Sequence, residues 1–194
     1  GDSTADLAVW KYAREAIIVG DSKSLMRKVK AISNVSKVFP RPSITKALVK
    51  ELRPHQWLKN SLVFVPAVLS GQIFVSSTWP SLVATFFAIS LVASSTYILN
   101  DLWDLPDDRK HWSKKKRPLA SGDLPILFGV FAGAVALIAG LGLSLWVGPD
   151  VTALLLIYLV LTLSYSLRLK RVVFHDALVL AGLFTLRLGL GTVA

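Results

Sequence analysis

The chain contains no cysteine, which excludes disulfides and thiolate metal centres and leaves the redox compartment open. It has a single methionine, Met26, none at position 1, and no secretory apolar segment ahead of its first basic stretch. The sequence therefore reads as an excerpt without its beginning. Charge is scarce as well. With 18% charged residues against 53% hydrophobic and a mean hydropathy of +0.56, there is too little polar surface to coat a soluble globule. Residues 81–99 form a run of 19 without one Asp, Glu, Lys or Arg. At ~1.5 Å rise per residue that run nearly crosses a ~30 Å hydrocarbon core. The fold class expected is all-α, a polytopic bundle of transmembrane helices.

Basic residues are missing from alternate connections. Five apolar runs, residues 61–77, 81–99, 124–147, 151–167 and 177–194, are candidate spans. Of 22 lysines and arginines, 12 fall between Lys11 and Lys59, six between Arg109 and Arg117, three between Arg168 and Arg171, and one at Arg187. Residues 76–80 and 148–150 hold none. One face is thus basic and the other bare, which by the positive-inside rule places the amino-terminal side in the cytoplasm of a bacterial-type inner membrane. The net charge of +10 is then topology, and nucleic acid is not an expected partner.

The densest polar feature follows the second run directly. Asn100, Asp101, Asp104, Asp107 and Asp108 stand within nine positions, at the expected cytoplasmic mouth, where carboxylates are costly unless a cation neutralises them. Mg²⁺ holding a phosphorylated substrate is the functional reading. At ~100° per residue, Asp101, Asp104, Asp108 and Asn100 lie at about 0°, −60°, −20° and −100°, so a continuous helix presents all four on one side. Pro106 lacks an N–H and crowds the carbonyl of Leu102, so the helix is expected to kink or end near it.

Acids followed by a cationic run suit a diphosphate, because metal and guanidinium or ammonium groups divide its charge. Arg117, beside Pro118, is the better substrate candidate. For Lys114 to Lys116 attraction to lipid headgroups competes with that role. A second polar site comprises Tyr165, Lys170, Asp176 and Arg187. Asp176 and Arg187 share one helix face, ~16 Å apart along it. An arginine inside an apolar span needs a partner or a wet cavity, so Arg187 is either a ligand or a member of a buried ion pair. Around Trp57, the sequence from Arg53 to Asn60 reads from periodicity as an aromatic and basic interfacial anchor.

Residues 1–20 read as a polar turn, a short helix and a β-branched strand ending in Gly20, the closing piece of an α/β unit. The turn Gly1-Asp2-Ser3-Thr4-Ala5-Asp6 resembles the fourth motif of the haloacid dehalogenase phosphohydrolases. That resemblance implies an incomplete Mg²⁺ site at Asp2 and Asp6, and a fused phosphatase domain upstream. Three parts are expected: residues 1–22 as that remnant, 23–52 as a basic linker and interfacial segment, and 53–194 as the transmembrane domain.

N-D-x-x-D-x-x-x-D at Asn100 to Asp108, R-P-L-A-S-G at Arg117 to Gly122 and Y-S-x-x-L-K at Tyr165 to Lys170 closely resemble the UbiA-type intramembrane prenyltransferases. R-P-x-Q-W-x-K-N at Arg53 to Asn60, D-R-x-H at Asp108 to His111 and L-K-x-x-x-x-x-D at Leu169 to Asp176 look most like the branch that joins a polyprenyl phosphate to phosphoribosyl diphosphate. A second D-x-x-x-D, usual in aromatic prenyltransferases, is lacking, since Leu180 stands four positions after Asp176. The resemblance implies a nine-helix fold, of which about five helices are present. It implies that Asn100, Asp104 and Asp108, with Asp101, hold Mg²⁺ on the diphosphate. Arg53, Lys59, Asn60, Arg109, His111, Arg117, Tyr165 and Arg187 are implied substrate contacts, and Asp104, Asp108, Asp176 and Lys170 the catalytic set. A polyprenyl lipid and a diphosphate are the implied partners. Two alternatives compete: prenyl transfer to an aromatic or other acceptor, and a cation-binding transporter or membrane scaffold.

Overall fold

A computed structural model describes residues 1–20, 22–40, 42–167 and 173–194, with the side chains of 167 and 173–176 outside the description. The sites expected at Lys170 and at the Asp176 side chain therefore lie outside the described residues. The chain forms two compact units, Gly1–Ser43 and Ile44–Ala194.

In the first unit a 3₁₀ turn, Thr4–Asp6, leads into α1 (Leu7–Trp10) and β1 (Glu15–Val19); α2 (Lys23–Lys30) and β2 (Asn34–Phe39) follow. The strands pair in parallel from Glu15↔Asn34 to Val19↔Phe39, with an irregularity at Ala16/Ile17. Part of the stretch expected as a linker thus carries α2 and β2, within the first compact unit. Its basic residues sit on one face of α2, while Leu25 and Val29, four apart on the other, bury against Trp10, Ala16 and Ile18. Ser22 accepts from the Leu25 N–H at 3.2 Å and caps the helix. The expected phosphohydrolase remnant is not supported. Asp6 Oδ2 accepts from the Asp2 and Ser3 N–H groups at 2.9 and 3.1 Å and from the Ser3 hydroxyl at 3.3 Å. The Ser3 and Asp2 N–H donors hold this exposed carboxyl below its ordinary pKa; it closes a turn.

The second unit is helical. After α3 (Ile44–Leu52) comes a 3₁₀ helix, Pro54–Phe64, then the five residues of α4 (Val65–Leu69). The first expected span is therefore broken: Gly71 turns the chain at φ +75° and two further 3₁₀ turns follow. A left-handed φ is cheap only for glycine. α5 (Trp79–Trp103) is the central helix, and α6 (Leu105–Lys110), α7 (Pro118–Ser121), α8 (Ile126–Val147), α9 (Pro149–Leu167) and α10 (Val173–Val193) complete the order. Among the described residues three helices are long and apolar enough to cross a membrane, within 76–103, 126–147 and 149–166, and the apolar part of α10 is shorter. Of the five spans expected, those at 81–99, 124–147 and 151–167 fall on these three helices, that at 177–194 falls on α10, and that at 61–77 is the interrupted one.

α8 packs on α5 through Gly133 and Gly140 on a buried face of small residues that also holds Ala136 and Ser144 and lets the backbones approach, while Gly129 meets Leu119 of α7. A Cβ on Gly140 would stand 2.8 Å from the Ala88 carbonyl oxygen. The opposite face of α8 exposes Leu127, Phe131, Ile138 and Trp146, the surface suited to lipid tails. The core gathers Val63, Leu82, Ile89, Val92, Leu155, Tyr158 and Leu190 between α5, α9, α10 and the 3₁₀ helix.

Candidate active site

The acid ladder is divided by the way α5 ends. The helix stops at Trp103, Asp104 leaves it at φ −85°, ψ 6°, and α6 restarts with Pro106 in its first turn, as a proline without an N–H allows. Asn100 and Asp104 line a cavity of about 380 Å³. Asp101 and Asp108, 2% and 1% exposed, are buried. Arg117 donates to Asp101 Oδ1 at 2.9 Å and to Asp108 Oδ2 at 2.6 Å, Lys114 lies 3.6 Å from Asp108 Oδ1, and Arg53 pairs with Asp101. A buried carboxylate without such partners would cost several kcal/mol, by order of magnitude.

Arg53 carries strain. Its φ of 52° and ψ of 53° place a non-glycine residue in the left-handed region. The ion pair with Asp101 and a stack on the Tyr97 ring, 5.1 Å from its centroid, hold it there. Arg53 and Lys114 border both this cavity and a second pocket of about 400 Å³ lined by Glu51, His55, Lys116 and Arg117. The sequence reading gave Glu51 no role. Its carboxyl, 1% exposed, has no hydrogen-bond partner of normal geometry among the described residues. Burial, then the neighbouring Asp101, push it up to about 7.

At the deeper end stands Arg187, 6% exposed. Its Nε donates to Asn60 Oδ1 at 2.9 Å, one terminal nitrogen to the Leu183 carbonyl at 2.8 Å and the other to the Tyr158 hydroxyl at 3.2 Å. The guanidinium also lies 5.3 Å from the ring centroids of Tyr158 and Phe184. Asn60, 2% exposed, donates to Ser90 Oγ at 3.0 Å, which turns its carbonyl toward Arg187. Two rulers separate the ends. Ser90 precedes Asn100 by ten residues on α5, ~15 Å; Tyr158, at Arg187, precedes Ser166, which donates to Asn100, by eight on α9, ~12 Å.

The structure therefore brings Asn100, Asp104, Arg53, Lys59, Tyr165 and Arg187 to one cavity, with Thr96, Lys114, Tyr158 and Thr162. Asn60 stands behind Arg187, and Arg117 behind the ladder. Arg109 is exposed on α6 and borders neither pocket. His111 Nδ1 accepts from the Ser113 and Lys114 N–H groups at 3.3 and 3.4 Å and caps the loop. Trp57, expected as an interfacial anchor, donates to Ser94 Oγ at 2.9 Å, and Ser94 to the Leu52 carbonyl at 2.7 Å. Among the described residues no three His, Cys, Asp or Glu side chains converge as a metal site. Asn100 and Asp104 fit Mg²⁺ in a narrower sense: both offer oxygen, and Mg²⁺ is commonly held by one or two carboxylates together with substrate phosphates.

Apolar helices wrapped around a charged cavity mark an integral membrane protein. Residues 62–194 match the UbiA prenyltransferase family, a family of transferases, and the chain belongs to it. The match stops short of the first unit. Over 198 residues the chain is 39% identical to the uncharacterized protein y4nM of Sinorhizobium fredii, covering 100% of this chain and 38% of that protein. It is 37% identical to the nodulation protein NoeC of Azorhizobium caulinodans, over 73% of this chain and 46% of that protein. Identity to the decaprenyl-phosphate phosphoribosyltransferase of Corynebacterium glutamicum is 32%, over 84% of this chain and 51% of that enzyme. The chain thus spans between about a third and a half of these relatives' lengths.

Proposed function

We propose that this chain forms part of a Mg²⁺-dependent membrane transferase that moves a 5-phosphoribosyl group from phosphoribosyl diphosphate to a polyprenyl phosphate. The observation that carries the reading is the cavity in which Asn100 and Asp104 face Arg53, Lys59 and Arg187. Such a lining suits two anionic reactants, one of them a metal-bound diphosphate, better than it suits a neutral lipid. The phosphoribosyltransferase of Corynebacterium glutamicum and the motif branch from Arg53 to Asn60 support the choice.

Asn100 and Asp104 would hold Mg²⁺, which when bound neutralises the diphosphate and makes it a better leaving group. Asp101 and Asp108 keep Arg117 and Arg53 fixed at the rim, and Lys59 and Lys114 add positive charge around the cavity. The anomeric carbon, losing diphosphate, takes an oxygen of the acceptor phosphate, so no protein nucleophile is needed. Lys170 and Asp176 belong to the same proposed site, and the cytoplasmic side remains the proposed orientation.

The family's description favours a second reading, prenyl transfer to an aromatic or other acceptor on the same metal site. Membranes containing the full-length protein, given labelled phosphoribosyl diphosphate or labelled prenyl diphosphate, separate the two. Label in lipid from the first, abolished by EDTA, is expected. Incorporation from prenyl diphosphate alone overturns the assignment, and turnover unaffected by EDTA overturns both.

A further inference from the structure

Arg187 is a charge held by uncharged groups. Among the described residues no carboxylate lies within ion-pair distance of it. The partners it has are an amide oxygen, a backbone carbonyl and a phenol. They engage three of the five guanidinium N–H groups, leaving one on each terminal nitrogen of a side chain that lines the cavity. Burying a guanidinium among uncharged groups is unfavourable in low dielectric, and N–H groups on its two terminal nitrogens suit the oxygens of a phosphate. Leu180, Leu183 and Phe184 of α10 line the cavity beside it, and Leu180 and Phe184 are partly exposed, an apolar wall suited to a lipid tail.

We infer that Arg187, oriented by Asn60 and Tyr158, is the seat of a second anion, the phosphate head of the lipid acceptor, set apart from the diphosphate held at Asn100 and Asp104. This rests on the proposed function for the identity of the acceptor; the anion seat itself does not. Asn60 sets the orientation without touching the anion, so it is a positioning residue. It also offers a test that preserves packing. Asn60→Asp keeps the side chain's size, lets Ser90 donate to the new oxygen, and supplies Arg187 with the internal counter-ion it lacks.

The experiment measures binding by thermal shift of the full-length protein in detergent, in EDTA so that the metal end is silent. The probes are farnesyl phosphate, farnesol and ribose 5-phosphate. Farnesyl phosphate is expected to bind the native protein at least tenfold more tightly than farnesol. Arg187→Gln and Asn60→Asp should each lose that tenfold preference, with Asn60→Asp melting no lower than the native protein. Equal binding of farnesyl phosphate and farnesol, or an undiminished preference in a folded Asn60→Asp, removes the anion seat. Tighter binding of ribose 5-phosphate than of farnesyl phosphate reassigns the seat to the donor's terminal phosphate and overturns the lipid assignment. Because no turnover is read, failure of the phosphoribosyl reaction and failure of this seat are separately visible.

Discussion

At the rim of the cavity charge meets charge; at its depth charge meets dipoles. Asp101 and Asp108 are saturated by Arg117, Arg53 and Lys114, whereas Arg187 is held by an amide, a carbonyl and a phenol. The first arrangement fixes geometry and the second keeps a charge available. The difference teaches that acids adjacent in a motif can part in space: Asn100 and Asp104 border the cavity of about 380 Å³, while Asp101 and Asp108 are buried against Arg117 and Asp101 borders the second pocket.

The sharpest way to break this contrast is Asp104→Ala. Loss of one preorganised electrostatic group typically costs ~10²–10³ in turnover, and such a fall is expected in the transferase assay with the melting temperature nearly unchanged. Normal turnover with a lowered melting point would place Asp104 in the foundation instead. Arg117→Met should do the opposite. Leaving buried Asp101 with Arg53 alone and Asp108 with only the longer contact to Lys114 is expected to destabilise the fold by roughly 3 kcal/mol, read as a large drop in melting temperature before activity is considered. Arg187→Met sharpens the comparison. Removing the guanidinium gives up three hydrogen bonds but also relieves the desolvation cost of a charge that has no carboxylate partner among the described residues, so the two effects offset in part, and a drop as deep as that of Arg117→Met would contradict the picture.

A further effect concerns Glu51 and depends on pH. Its carboxyl ionises near 4.5 when free and near 7 when buried beside Asp101. Folding therefore favours the protonated form, and stability falls as pH rises from about 4.5 to 7, by at most roughly 3 kcal/mol. Glu51→Gln should melt higher than the native protein at pH 8, and the gap should close at pH 5. A gap independent of pH would show that Glu51 is not the titrating group.

Much of this organisation was legible, and where it was not the reason is physical. Hydropathy gave the helices at 81–99, 124–147 and 151–167, because a long apolar run has few other ways to satisfy its backbone in lipid. It also suggested a span at 61–77, where Pro66 and Gly71 break the helix despite the apolar composition. The helical wheel already held the split of the ladder: Asn100 and Asp104 differ by only ~40°, Asp101 and Asp108 by ~20°. The sequence placed all four on one side, and only tertiary packing buries Asp101 and Asp108 against Arg117. β2 was hidden because its lysine and serine interrupt the apolar alternation, and five of its six residues are exposed. Glu51 and Tyr158 lie inside otherwise ordinary helical patterns, and only their tertiary neighbours give them meaning.

The 3₁₀ helix Pro54–Phe64 has a further consequence. Three residues of such a helix rise ~6 Å, the same as four residues of an α-helix. Trp57 and Asn60 accordingly meet Ser94 and Ser90, running against α5, while Asn60 and Val63 meet Arg187 and Gly191, running with α10. The segment works as a rack meshing two gears at a three-to-four ratio. Deleting one residue between Trp57 and Asn60 would swing the amide ~120° out of mesh, and the cavity's deep end would lose its seat while every helix around it remained intact.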